Sequence, residues 1–152
     1  MDDQKIRVML VDDEPLAVRG LKLRLQEFPE IEIIGECSNG REAVKEIKAQ
    51  TPDLVFLDIQ MPGLDGFGVV RALIGAPAPL IVFVTAYDKY AIDAFEANAL
   101  GYLVKPVEEE RLKDAVHRAR EAIKTRAAAS RESRLVELLA SLSDEDRDQI
   151  KE

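Results

Sequence analysis

Residues 54–66 read Leu54-Val55-Phe56-Leu57-Asp58-Ile59-Gln60-Met61-Pro62-Gly63-Leu64-Asp65-Gly66. Four apolar residues run without interruption into a carboxylate, and turn-forming residues follow at once. A short continuous apolar run with branched and aromatic side chains suits a strand covered on both faces, as in a parallel sheet. Asp58 then stands at the carboxyl end of the strand, the edge of an open α/β sheet at which ligands bind. An aspartate in that place can be a nucleophile, a metal ligand or the cap of the next helix. The rest of the chain decides among these.

Working outward, Ile6 to Val11 reads as a strand that closes on Asp12-Asp13-Glu14, with Pro15 placed for the first turn of a helix. Leu16, Val18, Leu21, Leu23 and Leu25 outline that helix as amphipathic, ending near Phe28-Pro29. Ile31 to Cys37 is a second strand, Ser38-Asn39-Gly40 a turn, and Ala43, Val44 and Ile47 mark a second helix. Thr51-Pro52 breaks the chain before the Leu54 strand, and a short helix is predicted from about Asp65 to Leu73. After the loop Gly75-Ala76-Pro77-Ala78-Pro79 comes a fourth strand, Leu80 to Thr85, then a helix from about Lys89 to Ala97. Tyr102-Leu103-Val104 is a short fifth strand that ends at Lys105-Pro106, and a long helical pattern starts after Val107. Strands and helices alternate at the spacing of βαβ units. That predicts an α/β protein, a doubly wound five-stranded parallel sheet of (βα)5 form with helices on both faces.

Composition narrows the class. The chain has 152 residues, enough for one domain with an appendage and a real core. Its net charge of −8 and lack of a basic tract make the chain itself a poor grip for nucleic acid. A single cysteine, Cys37, forms no internal disulfide and is expected to pack as a small hydrophobe. No apolar run approaches the roughly 18 residues of a membrane span, and the acidic Met1-Asp2-Asp3 start is unlike a signal peptide. A cytoplasmic protein with no membrane partner is expected.

In a parallel sheet all strand ends share one edge. The first strand brings Asp12 and Asp13 there, the third Asp58, the fourth Thr85 and the fifth Lys105. Three carboxylates gathered together stay ionised only beside something cationic. Hard oxygen ligands with a partly open shell suit Mg²⁺. Lys105 can pair with a carboxylate at rest and with a phosphoryl oxygen later, and the Thr85 hydroxyl can donate to another. An oxygen nucleophile, a metal and donors for equatorial oxygens are the parts phosphoryl transfer needs. Taken singly, each residue has a plainer role: Asp12 or Asp13 as a helix cap, Thr85 bonded to its own backbone, Lys105 solvated in a loop. Their convergence on one edge favours the chemical reading.

With Val11-Asp12-Asp13-Glu14-Pro15, Asp58 followed by Met61-Pro62-Gly63 and Asp65-Gly66, then Thr85-Ala86, and Tyr102 with Lys105-Pro106, the chain resembles the receiver domain of two-component response regulators over residues 5–125. The resemblance implies a flavodoxin-like receiver fold and a phosphoryl group accepted on Asp58 from a partner histidine kinase. It implies Mg²⁺, or Mn²⁺, held by Asp12, Asp13, Asp58 and the backbone carbonyl of Gln60. It makes Thr85 and Tyr102 a switch pair, Lys105 the lysine of the site, and Lys105–Pro106 a frequently cis peptide. Such a protein is not an enzyme beyond its own phosphorylation and dephosphorylation. Gln60 and Tyr87 flank the expected water path to the acyl phosphate. The stretch Phe83 to Tyr102 is similar to receivers that precede a LytTR-type DNA-binding domain, although Gly101 stands where an aspartate is common.

The expected organisation is a receiver over residues 1–126 and a helical linker over 127–152 leading toward an output domain outside this sequence. No Gly or Pro interrupts residues 107–142, so the last helix is expected to extend as a rod of roughly 50 Å carrying Leu135, Leu138, Leu139 and Leu142. Ser143-Asp144-Glu145-Asp146 reads as a fresh N-cap, which predicts a short final helix. A solitary apolar stripe needs a partner, which is a second chain, the output domain or the receiver surface after a kink; a homodimer through the last helix, strengthened by phosphorylation, is the expected one. Three other readings compete. A haloacid dehalogenase-like phosphohydrolase needs a second aspartate two residues after the first, where this chain has Gln60. A flavodoxin-like cofactor site would place a phosphate against Asp12-Asp13-Glu14, which repels it. A stand-alone phosphotransfer receiver without an output domain shares every site residue.

Overall fold

The computed structural model describes residues 5–90, 93–94, 97 and 99–140. Five strands, β1 (Ile6–Val11), β2 (Ile31–Cys37), β3 (Leu54–Leu57), β4 (Leu80–Thr85) and β5 (Gly101–Val104), form one parallel sheet in the order β2-β1-β3-β4-β5. The chain winds outward from β1 to β2, then returns past β1 to lay down β3. The sheet's topological switch point therefore lies between β1 and β3, where Asp12, Asp13 and Asp58 emerge side by side. The register fixes this closely: Val11 pairs with Leu57, and the Asp58 N–H donates to the Val11 carbonyl at 2.9 Å.

β3 and β4 are buried along their whole length, as uninterrupted apolar strands should be. Phe56 and Phe83 are among the largest wholly buried side chains, and Cys37 packs in one core with Phe83 as a small apolar group. Burial, followed by the nearby Glu42 and Glu46 charges, pushes its thiol up to about 12. β2 carries an irregularity opposite Val8 and Met9, which pair with Ile33 and Gly35 and leave Ile34 out of step.

Helix ends follow local chemistry. α2 (Gly40–Gln50) begins at Asn39, whose side chain accepts from the Glu42 N–H at 2.8 Å, while Glu42 reaches back to the Ser38 N–H at 3.0 Å. α3 (Gly66–Ala72) begins at Asp65, which accepts from the Gly68 N–H at 2.8 Å. α1 (Pro15–Leu25) has Pro15 in its first turn and lacks a side-chain cap at Glu14. The amphipathic reading of α1 needs correction. Val18 and Leu25 are buried, but Leu16 and Leu23 are 79% and 60% exposed. These two lie seven residues apart, two turns along one face, and that face is left largely open to solvent. The helix predicted over 89–97 is described only in part: Asp88–Tyr90 is a 3₁₀ turn, Asp93 and Ala94 are helical, and residues 91–92 and 95–96 lie outside the described residues.

The last helix, α4 (Glu109–Ala140), runs unbroken for 32 residues, about 48 Å at 1.5 Å per residue. Two glutamates occupy its first turn, where the helix dipole favours negative charge. The chain divides at Arg120 into two units. In the first, Leu112, Ala115, Val116 and Ala119 are buried at helical spacing. In the second, Leu135, Val136, Leu138 and Leu139 are exposed. Leu142 and the final helix expected at Ser143 lie outside the described residues. None of the described helices is long and apolar enough to cross a membrane.

One close approach shapes the loop behind Asp58. The Gly66 N–H donates to the Ile59 carbonyl at 2.8 Å, and a Cβ on Gly66 would sit 2.5 Å from the Asp58 carbonyl oxygen. Only glycine fits there without moving backbone. Gly66→Ala should destabilise the fold by on the order of 1–3 kcal/mol, as overpacking against rigid backbone does. Chemical denaturation of the variant checks this.

Candidate functional site

The carboxyl edge of the sheet gathers five of the residues singled out in the sequence. Asp12, Asp13 and Asp58 each offer a carboxylate oxygen, and these oxygens lie within 4.8 Å of one another. Asp12 and Asp58 are buried, and Asp13 lies nearer solvent. Asp12 also accepts from the Glu14 N–H at 2.9 Å, a local turn that aims its second oxygen inward. That oxygen meets the Lys105 ammonium at 2.7 Å. Lys105 arrives from the end of β5, tied there by its N–H to the Thr85 carbonyl at 2.8 Å, and its peptide bond to Pro106 is cis. The same ammonium stands 3.7 Å from Asp58 and 3.0 Å from Glu14. Glu14 is a partner that the sequence reading did not assign. Its side chain is largely exposed, and its place beside the acidic pair was the available signal.

Thr85 is wholly buried at the end of β4, and its hydroxyl oxygen accepts from the Tyr87 N–H at 3.4 Å. The self-bonded strand-end geometry is thus present. It occupies an oxygen lone pair, and the hydroxyl proton has no acceptor among the described residues. Tyr102, half-buried on β5, donates its hydroxyl to the Tyr87 carbonyl and accepts from the Tyr90 N–H at 3.2 Å. Gln60 follows Ile59 in the loop after β3, and its side-chain amide donates to the Tyr90 hydroxyl at 2.8 Å. Tyr90 is the second residue that sequence reasoning missed, since its role depends on a contact across thirty positions of chain.

Electrostatics mark Asp58 as the stressed group. Burial and then the Asp12 charge raise its carboxyl from 3.8 to about 6, against the opposing pull of Lys105 and of the Ile59 N–H. Burial works against the charge on Lys105 too, but hydrogen bonds to Asp12 and Glu14 and the neighbouring carboxylate charges outweigh it and raise the ammonium's pKa. One ammonium among this many carboxylates leaves the site short of positive charge. A hard divalent cation matches both the oxygen donor set and that deficit, so the residues present fit Mg²⁺ or Mn²⁺.

The apolar cavity nearest the site adjoins it on the side of α1. Its volume is about 220 Å³, and Leu16, Gly20, Leu21, Val84, Lys105 and Pro106 are among its lining residues.

The raised Asp58 carboxyl has a sign that can be measured without divalent cations. A carboxyl that holds its proton more tightly when folded than when unfolded makes the folded state bind more protons between about pH 4 and 6. Stability should therefore fall as pH rises through that window. Asp58→Asn should remove the slope and stabilise the cation-free protein at pH 7.5 by on the order of 1–3 kcal/mol, at about 1.4 kcal/mol per pKa unit. Denaturation in a chelator at pH 5 and 7.5 checks both statements.

Comparison with known proteins gives a consistent placement. The sequence profile of the response regulator receiver domain matches residues 8–117. The transcriptional regulatory protein BtsR of Salmonella typhi is 50% identical over 116 residues, which are 76% of this chain and 48% of that protein. An uncharacterised response regulatory protein of Vibrio vulnificus is 42% identical over 145 residues, 95% of this chain and 57% of that one. The chain thus spans about half the length of the curated relatives it matches. Among solved structures, the response regulatory domain of mrkE from Klebsiella pneumoniae superposes with a TM-score of 0.73 at 32% identity, covering 78% of this chain and 98% of that domain. With its β2-β1-β3-β4-β5 sheet and its acidic edge, this chain belongs to the response regulator receiver domain family.

Proposed function

We propose that this chain is the phosphoacceptor portion of a two-component response regulator, with Asp58 the residue phosphorylated. The observation that carries the reading is the buried Asp58 carboxylate, held beside Asp12, Asp13 and Lys105 at the switch point of the sheet. A carboxylate oxygen of Asp58 attacks the phosphorus of a phosphohistidine on the partner kinase. The new O–P bond forms as the P–N bond breaks, and the departing imidazole nitrogen keeps the electron pair and takes up a proton. Lys105 is close enough to shift from Asp12 toward a phosphoryl oxygen, and the free Thr85 proton can donate to another. A bound Mg²⁺ or Mn²⁺ would neutralise the remaining phosphoryl charge, with Asp12, Asp13, Asp58 and the Gln60 carbonyl as its protein ligands. The chain turns over no external substrate: its chemistry is its own phosphorylation and dephosphorylation. Thr85 and Tyr102 form the switch that reports the phosphoryl group to β5 and its surroundings.

The receiver is proposed to occupy residues 1–126, with residues 127–152 a helical linker toward an output domain of LytTR type that binds DNA and regulates transcription. Support comes from the transcriptional regulators to which the chain is similar and from their roughly double length. A homodimer formed through the last helix would cover its exposed leucines and set two output domains side by side.

Two experiments test this. With Mg²⁺ and acetyl phosphate or phosphoramidate, intact mass should rise by one phosphoryl group, and Asp58→Asn should abolish the rise; equal labelling of that variant overturns the assignment. Replacing Leu135 and Leu139 together with Glu should lower the sedimentation coefficient of the phosphorylated protein to that of a monomer. If the unaltered chain stays monomeric in every state at high micromolar concentration, the linker is not a dimerisation arm.

A further inference from the structure

The chain has three tyrosines and no tryptophan, and all three tyrosines meet in one cluster beside the loop that follows Asp58. Tyr90 is its centre. Its ring packs edge-on against Phe67 at 6.0 Å and Tyr87 at 6.4 Å, and the Lys89 ammonium lies 5.2 Å from its centroid. Its N–H donates to the Tyr102 hydroxyl, and its own hydroxyl accepts from the Gln60 side chain. Tyr102 returns to the Tyr87 carbonyl, and the Tyr87 N–H reaches Thr85. A continuous path of contacts therefore joins Gln60 to β5 and closes back on β4.

The Gln60–Tyr90 bond is exposed, so it adds little to global stability. Its geometry has a different consequence. Gln60 lies in a loop without regular secondary structure, and its amide is tied to a phenol whose ring is held by two other rings. We propose that Tyr90 is a positioning residue for the acidic site: its hydroxyl fixes Gln60 and the loop after Asp58, and its N–H ties that loop to Tyr102, so that occupancy of the site and the setting of Tyr102 are coupled. The inference rests on the phosphoacceptor reading and extends it to a residue that touches neither metal nor phosphoryl group. Groups that orient a ligand-bearing element change metal affinity by about 10–100-fold, and an exposed anchor belongs at the low end. Coupling is reciprocal, so what fixes the loop for a ligand also lets the ligand act on Tyr102.

The test uses the full 152-residue chain, with Mg²⁺ and beryllofluoride as the probe for a phosphoryl group. Calorimetry gives affinity, and tyrosine emission reports on this cluster alone because no tryptophan is present. Tyr90→Phe keeps the ring contacts and the backbone bond to Tyr102 and removes only the tie to Gln60. It should retain the parent denaturation midpoint and bind the probe about tenfold more weakly. Gln60→Ala keeps the backbone carbonyl and all three tyrosines; it should lose the same factor and show a reduced tyrosine response per ligand bound, and the double variant should lose no more affinity than either single one. Unchanged affinity in Tyr90→Phe, or losses that add in the double variant, overturns the role of Tyr90. Failure of the unaltered chain to bind the probe overturns the phosphoacceptor reading, and the role of Tyr90 with it.

Discussion

One ammonium group holds the working edge of this sheet together. Lys105 sits among Asp12, Asp58 and Glu14, and without it two buried carboxylates would face each other across the ends of β1 and β3. Burying charge is costly unless it is paired. The pairing here is incomplete, as the raised Asp58 carboxyl records. The site is thus built with a standing deficit of positive charge, which suits it to a divalent cation. A better neutralised cluster would fold more stably and have less to gain from a ligand.

The scaffold holds this cluster in place by backbone rather than by side chains. Parallel pairing of Val11 with Leu57 sets the distance between the acidic pair and Asp58. The Lys105 N–H on the Thr85 carbonyl fixes the approach of the ammonium. Gly66 lets α3 start directly behind the Asp58 carbonyl. Each constraint is short and rigid, so small movements at the site have to be absorbed in the loops that carry Gln60 and Tyr87–Tyr90. Tyr87 and Tyr90 lie in one of those loops and are hydrogen-bonded to Tyr102 on β5.

Much of this was legible in the residues. The run Leu54–Leu57 declared a buried strand because no polar residue breaks it, and Asp65 marked a helix start that the structure shows as a side-chain cap, whereas Asn39, read as part of a turn, caps α2. All five strand assignments agree to within a residue, because apolar runs bounded by polar and turn-forming residues leave little freedom. α1 was less transparent. Five apolar positions looked like one buried face, yet Leu16 and Leu23 face solvent. Periodicity records which residues share a face, but it does not record how much of that face the sheet can cover.

What the sequence determined by itself is the order of elements and the chemical inventory at the strand ends, since both depend on near neighbours in the chain. Alternating strands and helices dictate a parallel sheet, and a parallel sheet delivers Asp12, Asp13, Asp58, Thr85 and Lys105 to one edge. Only the tertiary structure decided the pairings across that edge. Lys105 meets Asp12 across 93 positions and Glu14 across 91, and Gln60 meets Tyr90 across 30. Such contacts depend on strand order, rotamer and loop path together, and no local pattern encodes them. The strain on Asp58 is of the same kind, because burial and the nearness of Asp12 exist only once β1 and β3 lie side by side.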